Sequence, residues 1–321
     1  MVQETPKQID EVSSSPYYTI DVIIPIYHPD EKLNQLLTML HRQTVKPKHI
    51  LLLHTIEYEG QALKLPAIED SDITVHPINK ADFDHGGTRK YGASLSNADI
   101  LMFMTQDAVP ADEYLIAKLL EAFTDPWVSA AYARQLPDGK AGFVERYTRA
   151  FNYPKHSRVK SIEDLQELGI KTFFCSNVCA MYRNGVYQKL AGFVEKTIFN
   201  EDMLMAAAMI RADYRVAYVA EAKVVHSHKY TYRQQFTRNF DLGVSHRQYR
   251  EVFEGVKSES EGIRLVKNTI KYLSEKKKYY LIPDLIISSG FKFLGYQFGK
   301  RYELLPAWLV KKLSMNRSYW K

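Results

Sequence analysis

Cysteine is nearly missing. Only Cys175 and Cys179 occur in 321 residues, a C-x3-C pair with no second pair and no nearby histidine. That excludes a disulfide framework and argues against a zinc site. Both are expected to be reduced, half-buried side chains, which fits the cytosol. Long apolar runs are missing too, because no stretch reaches the roughly 18 uninterrupted apolar residues of a spanning helix. The opening "MVQETPKQIDEVSSSPYY" lacks the apolar core of a secretory signal, and residues 1–17 are expected to form a loose tail. Neither G-x-G-x-x-G nor G-x-x-x-x-G-K-[ST] occurs, so dinucleotide and P-loop chemistry have no support. H-E-x-x-H and G-x-S-x-G are absent as well, which removes the commonest protease and esterase readings. There is no internal repeat and no low-complexity tract.

What is present is an ordinary globular composition with an unusual distribution of charge. Hydrophobic residues at 45% and charged residues at 25% argue against wholesale disorder. The net +6 conceals an asymmetry: from Lys223 onward there are 20 Lys and Arg against 8 Asp and Glu, whereas the preceding residues hold 23 against 29. A basic C-terminal third implies an anionic partner, whether phosphate, nucleic acid or a bilayer face.

The apolar pattern alternates between strand and helix. "TIDVIIPIY" (Thr19–Tyr27) and the apolar run Ile100–Met104 predict buried strands, and "HILLLHT" (His49–Thr55) and "DITVHPI" (Asp72–Ile78) two further strands. Helical spacing covers Lys32–Arg42, Gly86–Ala98 and Asp112–Phe123. Residues 136–171 are polar, aromatic-rich and weakly periodic, the pattern of a long binding insertion. "KTFFCSNVCAMYR" (Lys171–Arg183) resumes strand character, and Asn200–Tyr214 predicts a helix with Asn200 as N-cap. Short strands follow over Arg215–His228, and the chain beyond Tyr232 is helical and basic. Alternation of this kind predicts an α/β layered sheet with ligands beyond the carboxyl ends of its strands.

Acids and histidines collect at those ends: Asp82, Asp84, His85, Asp107, Glu201, Asp202, His226 and His228. Each has a plain structural reading. Asp107 can cap a turn, His226 and His228 can hydrogen-bond at a surface, and Glu201 and Asp202 sit where a helix dipole stabilises carboxylates by about 0.3–1 kcal/mol. In order along the chain, "VIIPIYH", the Gly87–Arg89 helix start, "TQDA", Gly192-Phe193, "NED" and "HSH" resemble family 2 glycosyltransferases of GT-A fold, over residues 18–235. "DFDHGGTR" (Asp82–Arg89) is most similar to the bacterial members that use dTDP-L-rhamnose.

The resemblance implies a Rossmann-like GT-A domain with a mainly parallel sheet over 18–231, and a basic amphipathic helical extension over 232–321. It implies a Mg2+ or Mn2+ ion held by Asp107 with His226 or His228; the family's Asp-x-Asp here has Thr105 in its first place. Asp202 aligns with the catalytic base. Donor contacts are implied for Pro25, Tyr27, Glu57, Asp84, His85, Arg89, Gln106 and Asp107, and acceptor contacts for Asn177 and Glu201. Glycines at 86 and 87 let backbone N–H groups approach a phosphate, and Arg89 can pair with its oxygens. The implied partners are dTDP-L-rhamnose and a saccharide acceptor, expected to be lipid-linked, at the inner face of the cell membrane. The interleaved aromatic and basic C-terminus suits a bilayer interface, and equally a helical cap or a homodimer contact. No nucleic-acid motif accompanies the charge, so a nucleic-acid partner is not expected. A different nucleotide sugar, or a non-catalytic protein that binds one, fits the same residues.

Overall fold

The computed structural model describes residues 18–61, 63, 72–253 and 259–320. The expected tail over residues 1–17 lies outside them. The strands are β1 (Ile20–Ile26), β2 (His49–Ile56), β3 (Ile73–Asn79), β4 (Ile100–Met104), β5 (Val109–Pro110), β6 (Val128–Leu136), β7 (Arg158–Lys160), β8 (Cys179–Arg183) and β9 (Arg215–Val225). The α-helices are α1 (Glu31–His41), α2 (His85–Ser94), α3 (Leu115–Glu121), α4 (Phe143–Asn152), α5 (Leu165–Leu168), α6 (Asn184–Lys189), α7 (Glu201–Arg211), α8 (Tyr232–Gln248), α9 (Arg250–Phe253), α10 (Glu259–Glu275), α11 (Ile282–Gly299) and α12 (Ala307–Leu313).

The strands form one sheet in the order β3-β2-β1-β4-β8-β6-β9-β5, with β7 also paired to β9. β3, β2, β1 and β4 run parallel; β8 is antiparallel to both β4 and β6, and β9 runs parallel to β6. Both faces are covered, which explains why β4 reads as an unbroken apolar run. On one face Val22, Ile24, Met102 and Met104 pack under α1, and on the other Ile23, Leu101 and Phe103 meet Tyr182, Phe193 and α7. The β1–β4 pairing ends at Ile23–Phe103, so Pro25, which has no N–H to give, falls past it.

Several sequence expectations are corrected. Residues 136–171 are no open insertion: they contain α4, β7, α5 and short 3-10 turns, and α4 stacks Tyr147 on Tyr272 of α10 at 4.6 Å. Of Lys171–Arg183 only β8 is strand, because a 3-10 turn spans Gly169–Phe173. Asn200 precedes α7 in a left-handed conformation (φ 68°) and gives no side-chain cap; its amide donates to the Ser245 hydroxyl instead. Both cysteines, expected to be half-buried, are fully buried and unpaired. Arg215–Val225 forms one 11-residue strand, β9, where several short strands were expected.

The C-terminal region is helical and packs on the α/β body. Ile198 of the body joins Phe240, Val244 and Val310 in a small core, and Tyr319 donates to the Lys196 carbonyl at 3.1 Å. Helices α8 and α11 touch backbone to backbone. A Cβ on Gly299 would lie 2.0 Å from the Phe240 carbonyl oxygen, and one on Gly295 would lie 2.2 Å from that of Phe236. Only glycine permits that approach. No helix among the described residues is long and apolar enough to cross a membrane.

Candidate active site

The carboxyl ends of the central strands open onto a cleft of about 990 Å³, walled by α4, the start of α7, and α8 with α11. Asp107 follows β4 through a turn in which the Ala108 amide donates to the Thr105 carbonyl. It meets the two histidines that follow β9: its Oδ2 is 3.5 Å from His226 Nε2 and 3.3 Å from His228 Nε2. The three groups each offer a ligand atom within 4.8 Å of the others. Burial, the dominant influence, pushes the His226 imidazole down to about 3, and burial also lowers His228. Both rings are therefore neutral at physiological pH, the state in which imidazole binds a metal.

Gln135, which the sequence reading missed, orients His226. The pairing of β6 with β9 shifts register between Ala133 and Arg134, just before this residue. Its Oε1 lies 3.0 Å from His226 Nδ1 and also accepts from Arg149. Its amide donates to the Tyr153 hydroxyl at 2.6 Å and the Ser176 hydroxyl at 3.0 Å. With Oε1 as acceptor, the His226 proton sits on Nδ1 and the Nε2 lone pair faces Asp107.

Asp202 opens α7 and lines the same cleft. Its Oδ2 accepts from the Asn177 amide at 3.0 Å and its Oδ1 from the Met203 amide at 2.8 Å. Burial first, and then the neighbouring Glu201, push its carboxyl up to about 7 despite those bonds. Glu201 behaves oppositely. Burial opposes its ionisation, but Arg89 at 3.2 Å, His85, its own amide and Asn177 outweigh that and hold it below the usual range. Two adjacent carboxyls thus diverge: one is a fixed anion in an ion pair, the other is tuned near neutrality.

Asn177 is committed to this pair. Its backbone N–H holds Asp202, its side-chain amide donates to Glu201 at 3.2 Å, and its Oδ1 accepts from the Tyr182 hydroxyl at 2.9 Å. Arg89 is buried, bonded to Glu201 and to the His85 carbonyl at 3.0 Å. Asp84 caps α2 and accepts three backbone N–H groups, from Gly87 at 2.7 Å, Lys196 at 2.8 Å and Thr197 at 3.1 Å. His85 lines the cleft.

A second group lies at the ends of β1, β2 and β3. The Gln106 side chain bonds the Tyr27 backbone twice, accepting from its N–H at 2.8 Å and donating to its carbonyl at 3.0 Å. Glu57 accepts from the Tyr27 hydroxyl and from Lys80, each at 2.6 Å, and Lys80 also donates to the Tyr27 hydroxyl. These bonds, that from Lys80 first, bring the exposed Glu57 carboxyl down to about 2. Lys80 was missed because a lone lysine at a strand end carries no signal of its own. A shallow depression lined by Glu57, Asn79, Lys80 and Asp82 adjoins the group.

The model of glycosyl transferase family 2 matches residues 21–191. The chain belongs to that family. It is 40% identical over 306 residues to the O-antigen chain rhamnosyltransferase RfbN of Salmonella typhimurium, covering 94% of this chain and 96% of the relative. It is 37% identical over 310 residues to the O-antigen chain rhamnosyltransferase WbaN of Salmonella anatum, covering 95% and 96%. Among solved structures, a mannosyltransferase of Pyrobaculum calidifontis, in complex with GDP-Man and Mn2+, shares the fold. Its TM-score is 0.56 at 13% identity, with 98% of this chain and 88% of that one covered. The expected GT-A architecture is therefore present, and the chain is a family 2 glycosyltransferase. The family match ends between α6 and α7, so Asp202, His226 and His228 stand beyond the matched residues and rest on the geometry above.

Proposed function

We propose that this glycosyltransferase moves L-rhamnose from dTDP-L-rhamnose to a hydroxyl of a lipid-linked saccharide, with inversion, in the synthesis of a bacterial surface polysaccharide. One observation carries the chemistry: Asp202, His226 and His228 line one cleft, and Asp107 lies against the two histidines. The sugar is taken from the near full-length likeness to the two O-antigen chain rhamnosyltransferases.

In this reading the ionised Asp202 takes the proton of the acceptor hydroxyl as its oxygen bonds to the anomeric carbon. The bond from that carbon to the diphosphate oxygen breaks, and dTDP leaves carrying the electron pair. A base tuned near neutrality is matched to this task. Glu201, expected to touch the acceptor, holds Arg89 and receives Asn177, so we assign both Glu201 and Asn177 to positioning Asp202. Asp84 likewise pins the start of α2, from which His85 reaches the cleft. Tyr27, Glu57 and Gln106, with Lys80 added, form the nucleoside end of the donor site, and Pro25 sits two residues before Tyr27 at the end of β1.

The donor set fits a divalent cation, since one carboxylate and two neutral imidazoles already converge and Gln135 fixes a lone pair inward. Asp107, His226 and His228 would hold it, and two nitrogen donors favour Mn2+ over the oxygen-seeking Mg2+. When bound, the cation supplies charge neutralisation for the departing diphosphate. Incubation with dTDP-L-rhamnose, Mn2+ and a lipid-linked saccharide should release dTDP and add one deoxyhexose to the acceptor by mass spectrometry. Release only from another nucleotide sugar would replace the donor, and release from none would reduce the protein to a binder.

A further inference from the structure

The helical wall of the cleft carries two cations that the proposed chemistry leaves unused: Arg238 of α8 and Lys292 of α11. Among the described residues neither has a carboxylate partner. The Arg238 guanidinium lies 4.7 Å from the Phe199 ring centre and 5.9 Å from that of Tyr230. Asp284, the nearest acid of α11 in the cleft, is taken by the Tyr232 hydroxyl. Burial, then the charge of Arg238, depresses the Lys292 ammonium below its ordinary range. Asp241 feels the Arg238 charge, but its oxygens accept from Ser314, Met315 and Asn316. Two half-buried cations that repel each other, neither in an ion pair, raise the energy of the free protein. An anion placed there would remove that cost and gain charge-assisted hydrogen bonds.

Helix α11 indicates what the anion is attached to. Lys292 shares a face with Gly295 and Gly299, three and seven residues on, and that face meets α8. The opposite face is exposed and apolar, with Ile286, Ile287, Phe293 and Leu294 at two-turn spacing. One helix therefore offers a cation to the cleft and hydrocarbon to the outside. We propose that Arg238 and Lys292 bind the diphosphate of a prenyl-diphosphate-linked saccharide whose hydrocarbon lies on the exposed face of α11. This rests on the reading of the acceptor as lipid-linked. The same cations suit two other sources of phosphate, the donor's own diphosphate and a phospholipid headgroup, and the test separates them.

Full-length protein saturated with dTDP and Mn2+ is titrated with farnesyl diphosphate by calorimetry. Binding is expected to survive the bound dTDP, to vanish with farnesol, and to be at least about tenfold weaker with dihexanoyl phosphatidylglycerol. K292Q and R238Q should weaken it about 10- to 100-fold, the range expected for one charged hydrogen bond, while K292R retains it within a few-fold. Displacement by dTDP would assign the cations to the donor and overturn the proposal. Binding of K292Q equal to wild type, or equal affinity for the phospholipid, would overturn it as well. dTDP binding by each variant reports an intact fold, and K292M replaces K292Q should the latter lose it. Rhamnose transfer is measured separately, so its failure leaves this binding result standing and the reverse also holds.

Discussion

At the scale of single residues, the divergence of Glu201 and Asp202 gives the sharpest expectations. Asp202→Asn should lower kcat by about 10²- to 10⁴-fold, the usual contribution of a general base, with dTDP affinity unchanged by calorimetry. The pH profile has a definite sign. Only the ionised carboxylate accepts a proton, and the group is pushed up to about 7. kcat/KM should therefore rise about tenfold per pH unit below that value and level off above it, which steady-state rates from pH 5 to 9 would check. Gln135→Leu would remove the acceptor that holds the His226 proton on Nδ1. Mn2+ affinity should then fall about 10- to 100-fold, read from the EPR signal of free Mn2+. The strand-end acids and histidines were visible in the sequence as unusual residues after apolar runs. Gln135 and Lys80 were not, because their roles arise from partners 91 and 53 positions away, His226 and Tyr27.

At the scale of elements, legibility followed burial. β1, β2 and β4 are apolar on both faces and announce themselves, as does α1 with Leu33, Leu36, Leu37 and Leu40 inward. α4 escaped notice because, although Phe143, Tyr147 and Phe151 recur at helical spacing, none of its residues is buried, and aromatics spaced among charged residues read as a binding insertion. Asn200 looked like a cap and is a left-handed junction. The α8–α11 contact was hidden for another reason, since glycines within a helix read as weakness until the partner helix is known. Gly299→Ala should cost about 1–3 kcal/mol, the usual penalty for forcing an extra carbon into a packed contact, and lower the Tm measured by circular dichroism. Gly290→Ala, at a position with open space around it, should not lower the Tm.

At the scale of the whole molecule, the charge asymmetry of the sequence acquires a location. Beyond the apolar face of α11, Leu304 and Trp308 are also exposed, as are Lys276 and Lys277 before the helix and Lys311 and Lys312 after it. That combination suits the surface of an anionic bilayer. The protein should co-sediment with phosphatidylglycerol vesicles at low salt and less so at high salt. A Phe293→Glu, Leu294→Glu double variant should stay in the supernatant while still binding dTDP. The sheet itself is built in two halves, one ending in Tyr27, Glu57 and Lys80, the other in Asp107 and the histidines. Gln106 rivets them together through both main-chain atoms of Tyr27. Any sway of the Tyr27 loop is thus passed to the next residue along, Asp107. In the proposed donor site, recognising the base and gripping the phosphates would become a single event instead of two in succession.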